Sequence, residues 1–123
     1  MELFVWYILL VNAGWDFLSF MAICIGGPTC SSVGDMHLGL WVNQADQLNP
    51  AAIFLMSIGM LVMCAARMGA CVDESLWMVA AFSYIIEFLF ASFGVYLGLI
   101  HTWKGIFVAL SSGLLAVIVL VFH

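Results

Sequence analysis

Four long apolar runs divide the chain, at about residues 3–25, 51–72, 76–100 and 103–122, and a single substantial loop, residues 26–50, separates the first two. Each run has the roughly 20 residues that a helix rising 1.5 Å per residue needs to cross a hydrocarbon core of about 30 Å. They are far longer than the roughly 10-residue alternating segments of a membrane barrel. The pattern predicts an all-α membrane protein: four transmembrane helices forming one transmembrane domain over residues 1–123. Gly26-Gly27-Pro28 is a stop for the first helix. Asn49-Pro50 opens the second, with Asn as N-cap and Pro at the first helical position. Asp73 or Ser75 can cap the third helix and Thr102 the fourth. Links of only a few residues near Asp73 and at His101-Thr102 force antiparallel neighbours, so helices two to four form successive hairpins. Both termini then lie on one side and the long loop on the other. Within that loop Met36–Val42 is apolar enough to lie in the membrane interface.

Composition supports the same solvent. Hydrophobic residues are 67% of the 123 and charged residues 7%, against roughly 25% charged in a soluble domain. A water-soluble globule, a disordered chain and a nucleic-acid binder are excluded, the last because it needs basic residues to meet phosphate. The net charge of −5 comes from 7 acidic and 2 basic residues. There is no basic patch for anionic lipid. Arg67 falls on the terminal side and Lys104 on the loop side, so positive charge gives no orientation. The first run lacks a basic start, is too long for a signal peptide and carries Asn12 and Asp16, so it reads as a retained span. Of the four cysteines, Cys24, Cys64 and Cys71 lie in apolar runs and read as small hydrophobes, and the placement of Cys24 and Cys30 leaves a disulfide between them open.

The helix faces are uneven. Ala80, Ser83, Glu87, Ala91, Gly94 and Gly98 follow steps of three and four along span three, opposite the bulky Phe82, Ile85, Leu89 and Phe93. Gly105, Ala109, Gly113 and Ala116 repeat the stripe in span four. Small stripes let helices approach closely in lipid, so both read as packing seams. Trp6, Tyr7, Trp77, Tyr96 and Trp103 sit near span ends, where an interfacial belt places them, but Trp15 lies mid-span beside Asp16. Phe82, Phe88, Phe90 and Phe93 form a broad aromatic surface suited to lipid or to flat apolar ligands.

The polar groups inside the spans carry the sharper signal. Glu87 is about 11 residues into its span and Asp16 about 13 into its own, which puts both near the midplane. A carboxylate there must be neutral, hydrogen-bonded or in contact with water or a ligand. Asn12 lies one turn before Asp16, and Ser19 continues that face. Asn12, Ser83, Tyr84 and Arg67 are the available partners, and Arg67 can reach either toward Glu87 or outward. Three histidines, His37, His101 and His123, share no helix face with another ligand, so no protein metal site is expected. A single side chain can still ligate a macrocycle metal, and the candidate cofactor-binding residues are Glu87, Asp16, Asn12, His37 and His101. Chlorophyll, carotenoid or lipid are the groups they would meet. No catalytic residues are assigned, because no nucleophile is paired with a base in the sequence.

The stretch from Arg67 to Phe90 combines Ala66-Arg67-Met68-Gly69-Ala70-Cys71, a short acidic turn, Leu76-Trp77 and an aromatic helix with a buried Glu. This resembles the small four-span ergosterol-biosynthesis scaffold family of the endoplasmic reticulum, over about half of the chain. The resemblance implies four spans with a long first loop and a non-catalytic role tethering sterol-processing enzymes. From the residues themselves, with no soluble domain and with helices bearing packing stripes, the expectation is a structural or accessory subunit of a large membrane complex. Its partners would be other membrane subunits, lipids and pigments, with no nucleic acid. Scarce basic residues and abundant aromatics lean this toward a photosystem or antenna assembly in a thylakoid. The alternatives are the scaffold in the endoplasmic reticulum, and a small proton or ion carrier using Asp16 and Glu87.

Overall fold

The computed structural model describes residues 1–25 and 31–123. It is an all-α membrane protein, with helices α1 (Leu3–Ile25), α2 (Ser31–Leu38), α3 (Gln44–Gln47), α4 (Pro50–Val72), α5 (Trp77–Tyr96) and α6 (Thr102–Phe122). Among the described residues α1, α4, α5 and α6 are long and apolar enough to cross a membrane. Their outer faces carry Leu55, Val62, Phe82, Phe93 and Leu110, all exposed, which only a lipid solvent tolerates in such number. The Gly26-Gly27-Pro28 stop and Cys30 lie outside the described residues; Cys24 is a free thiol.

The starts and stops follow local chemistry. Asn49 Oδ1 accepts from Ala52 N–H at 2.9 Å, and Pro50 is the first residue of α4. Asp73 Oδ1 accepts from Ser75 N–H at 2.9 Å and opens a 3₁₀ turn, Glu74–Leu76, that leads into α5. The expected cap at Thr102 is not made: Thr102 is already helical, and His101 precedes it without a side-chain cap bond. The third span is also shorter than the apolar run. It ends at Tyr96, because Gly98 takes φ +72° and its N–H donates to Val95 O at 3.1 Å while Leu99 N–H donates to Gly94 O at 2.9 Å. That pair of bonds is a Schellman cap, and glycine enters the left-handed region without a Cβ clash. Gly98 therefore belongs to a turn and not to the packing seam.

The bundle is built as two antiparallel pairs, α1 with α4 and α5 with α6, and α4 also touches α5. In the α5–α6 seam, Ala80, Ser83, Ala91 and Gly94 are buried on one side and Gly105, Ala109, Ser112 and Ala116 on the other. The contact is close enough that a Cβ on Gly105 would overlap Val95, and one on Gly94 would come within 2.8 Å of Ile100 Cγ1. Both termini and the Asp73–Leu76 turn share one end of the bundle. The amino terminus pairs with Glu74 at 2.9 Å, Trp77 stacks on His123, and Glu2 N–H donates to Phe122 O at 3.2 Å. The core fills this terminal half with Val5, Leu9, Ala70, Ala80, Ala81, Tyr84, Ala116 and Val119.

The opposite end holds the long loop. Its apolar piece, Met36–Val42, is held in place. It docks on the helix ends: Val42 N–H donates to Leu99 O at 3.0 Å, His101 N–H to Leu40 O at 2.8 Å, and Lys104 Nζ to Gly39 O at 3.1 Å. Trp41 packs edge-on against Phe90 at 5.9 Å.

Candidate functional site

Span one contributes Asp16, span two Arg67 and span three Glu87, and the three meet inside the bundle. Arg67 Nη1 donates to Asp16 Oδ2 at 2.7 Å and Nη2 to Glu87 Oε2 at 2.5 Å. Its Nε donates to Ser83 Oγ at 3.1 Å, and the Ser83 hydroxyl in turn donates to Ala80 O at 2.7 Å. The guanidinium also lies over the Tyr84 ring, 3.9 Å from its centre. Every nitrogen of the guanidinium is engaged, so Arg67 is held in one place by a fork that a lysine could not reproduce.

Helix polarity explains the meeting. Side chains tilt toward the N-terminus of their helix. Span two runs opposite to spans one and three, so Arg67 points from near the terminal end toward the midplane. Asp16 and Glu87 tilt the other way, toward it. The outward-snorkelling alternative for Arg67 fails, because the residue is wholly buried.

The three groups differ in access. The side chains of Arg67 and Asp16 are 2% and 5% exposed, and that of Glu87 is 26% exposed. Glu87 opens on a cavity of about 540 Å³, within the range of roughly 300–1,000 Å³ typical of small-molecule sites. The cavity lies between the two helix pairs. α1 and α6 meet at the terminal end, where Phe4 and Phe122 are edge-to-face at 5.3 Å. Farther along, the cavity occupies the space between them, walled by Asn12, Trp15 and Asp16 on one side and by Trp103, Phe107, Ser111 and Leu115 on the other. Met60 and Met63 of α4 and Phe90 of α5 complete the walls, and Asp35, Met36, His37 and Leu40 of the loop cover the mouth with Lys104. Among known protein families, curated proteins and solved structures, nothing matches the chain.

Four of the five residues singled out as candidate binders, Asn12, Asp16, His37 and Glu87, thus line one cavity. His101 does not. It precedes α6, where its backbone bonds to the loop, and it is absent from the cavity wall. Asn12 turns its amide nitrogen to Ile8 O at 2.8 Å, which leaves its carbonyl oxygen as an acceptor. Phe90 and Trp15 line the cavity, and both are exposed.

His37 and Ser19 form a pair that no sequence pattern shows, at 2.6 Å between Nε2 and Oγ. It has the residue types of a base and a nucleophile, but the wrong arrangement. Ser19 has one proton, and its oxygen sits 2.7 Å from Trp15 O, which takes it. His37 Nε2–H then donates to Ser19, the reverse of what activation needs. Ser19 also has no exposed surface. The pair fastens the loop to α1, with the imidazole ring 6.0 Å from that of Trp15. Burial pushes the His37 pKa below its ordinary value, with the Glu87 charge opposing this less strongly.

Arg67, Lys104 and Asp35 were absent from the candidate residues. For Arg67 the signal was present, in a cation mid-helix at a depth its arm could extend to meet the two acids. Lys104 and Asp35 reach the cavity only because the loop folds back over it.

Proposed function

We propose that the chain is a non-catalytic membrane protein that holds a small amphipathic molecule between its two helix pairs, as an accessory component of a membrane system. The observation that carries this reading is the cavity itself: apolar and aromatic walls converge on a fixed polar floor made by Asp16, Arg67 and Glu87. That combination suits a ligand with an apolar body and one polar end. Lipid-like molecules fit the description, and so do the pigment and sterol classes expected from composition and from the scaffold resemblance.

Proton or ion carriage fits less well. A carrier needs polar groups on both sides of its central acid. Below the triad the bundle closes with Val5, Leu9, Ala70, Ala80, Ala81 and Val119. A proton on Glu87 faces the cavity toward the loop end and an apolar barrier toward the termini.

The test is saturable binding by the purified protein in lipid nanodiscs. Three compact probes share one body and differ in the polar end: 4-phenylbutan-1-ol, 4-phenylbutylamine and 4-phenylbutyrate. At least one should raise the unfolding temperature saturably, and Ser111→Phe, which fills the cavity, should abolish the effect. If none of the three stabilises the protein, the binding reading is wrong.

A further inference from the structure

We propose that the polar end of the bound molecule is a single positive charge, an organic ammonium seated on Glu87. The inference rests on the binding reading above and narrows its ligand class. The first argument is charge. Asp16 and Glu87 share one guanidinium, so the floor of the cavity sums to one negative charge. The second is access. Asp16 borders the cavity but is only 5% exposed, while Glu87, at 26%, is the more open member and faces the space. Only its Oε2 is bonded to Arg67, which leaves Oε1 to accept from a ligand.

The third argument is exclusion of the opposite charge. An anionic end would need accessible donors at the floor, and Arg67 offers little: Nη1, Nη2 and Nε each already donate, to Asp16, Glu87 and Ser83, and the side chain is only 2% exposed. Asn12 already donates from its amide nitrogen to Ile8 O. The remaining cation of the cavity, Lys104, lies at the mouth, fixed on Gly39 O, and Asp35 also lines the cavity. The fourth is the wall. Trp15, Phe90 and Phe107 offer aromatic surface beside the floor, which attracts a cation and repels an anion. A desolvated ammonium on a carboxylate makes a charge-assisted bond roughly twice as strong as a neutral one. Such a ligand also removes the net charge from the low-dielectric interior, which an alcohol of the same shape leaves in place.

The same three probes decide it, in nanodiscs of uncharged zwitterionic lipid at constant ionic strength. The amine should bind at least about tenfold more tightly than the alcohol, and the acid more weakly than either. Glu87→Gln should bring the amine-to-alcohol ratio to about one. A carboxyl C=O stretch assigned to protonated Glu87 by its loss in Glu87→Gln should be missing from the amine-bound protein; this readout does not require the variant to bind. Equal binding of amine and alcohol, tighter binding of the acid, or a protonated Glu87 beneath bound amine would overturn the proposal while leaving a binding cavity in place. A lack of binding by all three probes overturns the reading beneath it. Stabilisation by sodium chloride alone, to the same extent as by the amine, would show a site for a bare cation and would also overturn the proposal.

Discussion

Arg67→Met removes the cation that lies between two intramembrane carboxylates and keeps an unbranched side chain of similar reach. Three hydrogen bonds disappear, at 2.7, 2.5 and 3.1 Å. Removing one partner of a buried ion pair destabilises a protein by about 3–5 kcal/mol, mostly because the other charge stays buried and unpaired. Here the two abandoned acids are not equivalent. Glu87, 26% exposed, can take water through the cavity more readily than Asp16, 5% exposed, so most of the loss should sit on Asp16. Adding Asp16→Asn to Arg67→Met should therefore restore about 1–3 kcal/mol. Asp16→Asn alone should destabilise, because it withdraws a charge-assisted acceptor from Arg67. The sign of the second substitution thus reverses with its background, and that is the signature of direct coupling. Reversible unfolding in mixed detergent micelles measures all four proteins, and a loss of this size is a large part of a total stability of about 5–15 kcal/mol. Two results refute the reasoning: Arg67→Met within about 0.5 kcal/mol of the parent, or an Asp16→Asn effect that is the same with and without Arg67.

Gly105→Ala should destabilise by about 1–3 kcal/mol, because its Cβ would overlap the stiff, β-branched Val95, while Gly59→Ala, with nothing within 4 Å, should be neutral or slightly stabilising; thermal unfolding in detergent ranks the two. Gly98→Ala should lower stability by about 1–2 kcal/mol through the left-handed turn alone, since open space surrounds that position, and Gly98→Asn should lose less. The docked loop should loosen in mild acid. Docked His37 has a pKa below the ordinary value of about 6.5, so the undocked form binds more protons; docking is complete above about pH 6.5 and weakens as pH falls below it. Hydrogen exchange of the α2 amides should accelerate over that range, and His37→Gln should flatten the dependence; an unchanged profile in the variant would rule out His37 as the cause.

The spans were legible because length and apolarity are properties of the sequence alone, and the Asn49-Pro50 start because capping is local. Gly98 was misread for an instructive reason. Steps of three and four extend the small stripe to it, but a hairpin link at His101-Thr102 alone leaves almost no chain with which to reverse direction. The turn takes Leu97 to His101, and Gly98 supplies the left-handed residue. The triad was half legible. Asp16 and Glu87 stood out as acids at one depth, but their meeting depends on which way each side chain leans. That follows from helix direction, and it brings Arg67 inward. The Ser19–His37 contact was not legible, because it depends on how the loop folds back across residues far apart in sequence.

The distribution of side-chain size explains why the bundle is closed at one end and hollow at the other. In the terminal half, Ala70, Ala80, Ala81 and Ala116 let all four spans close around Tyr84. Toward the loop end, small residues are buried within the pairs, at Ala91, Gly94, Gly105 and Ala109 of α5 and α6 and at Ser19, Ala22 and Ser57 of α1 and α4. The surfaces that the two pairs turn toward each other there carry Met60, Met63, Phe90 and Phe107, which hold the pairs apart. The triad sits where closed packing gives way to the cavity. Packing from below shuts water away from Asp16 and Arg67 and fixes the guanidinium. The cavity above gives Glu87 an open side. Neither half alone would produce a carboxylate that is both rigidly placed and reachable. This division predicts that enlarging the lower core, for example by Ala80→Gly, should weaken the hold on Arg67 and reduce probe binding without any change to a cavity residue.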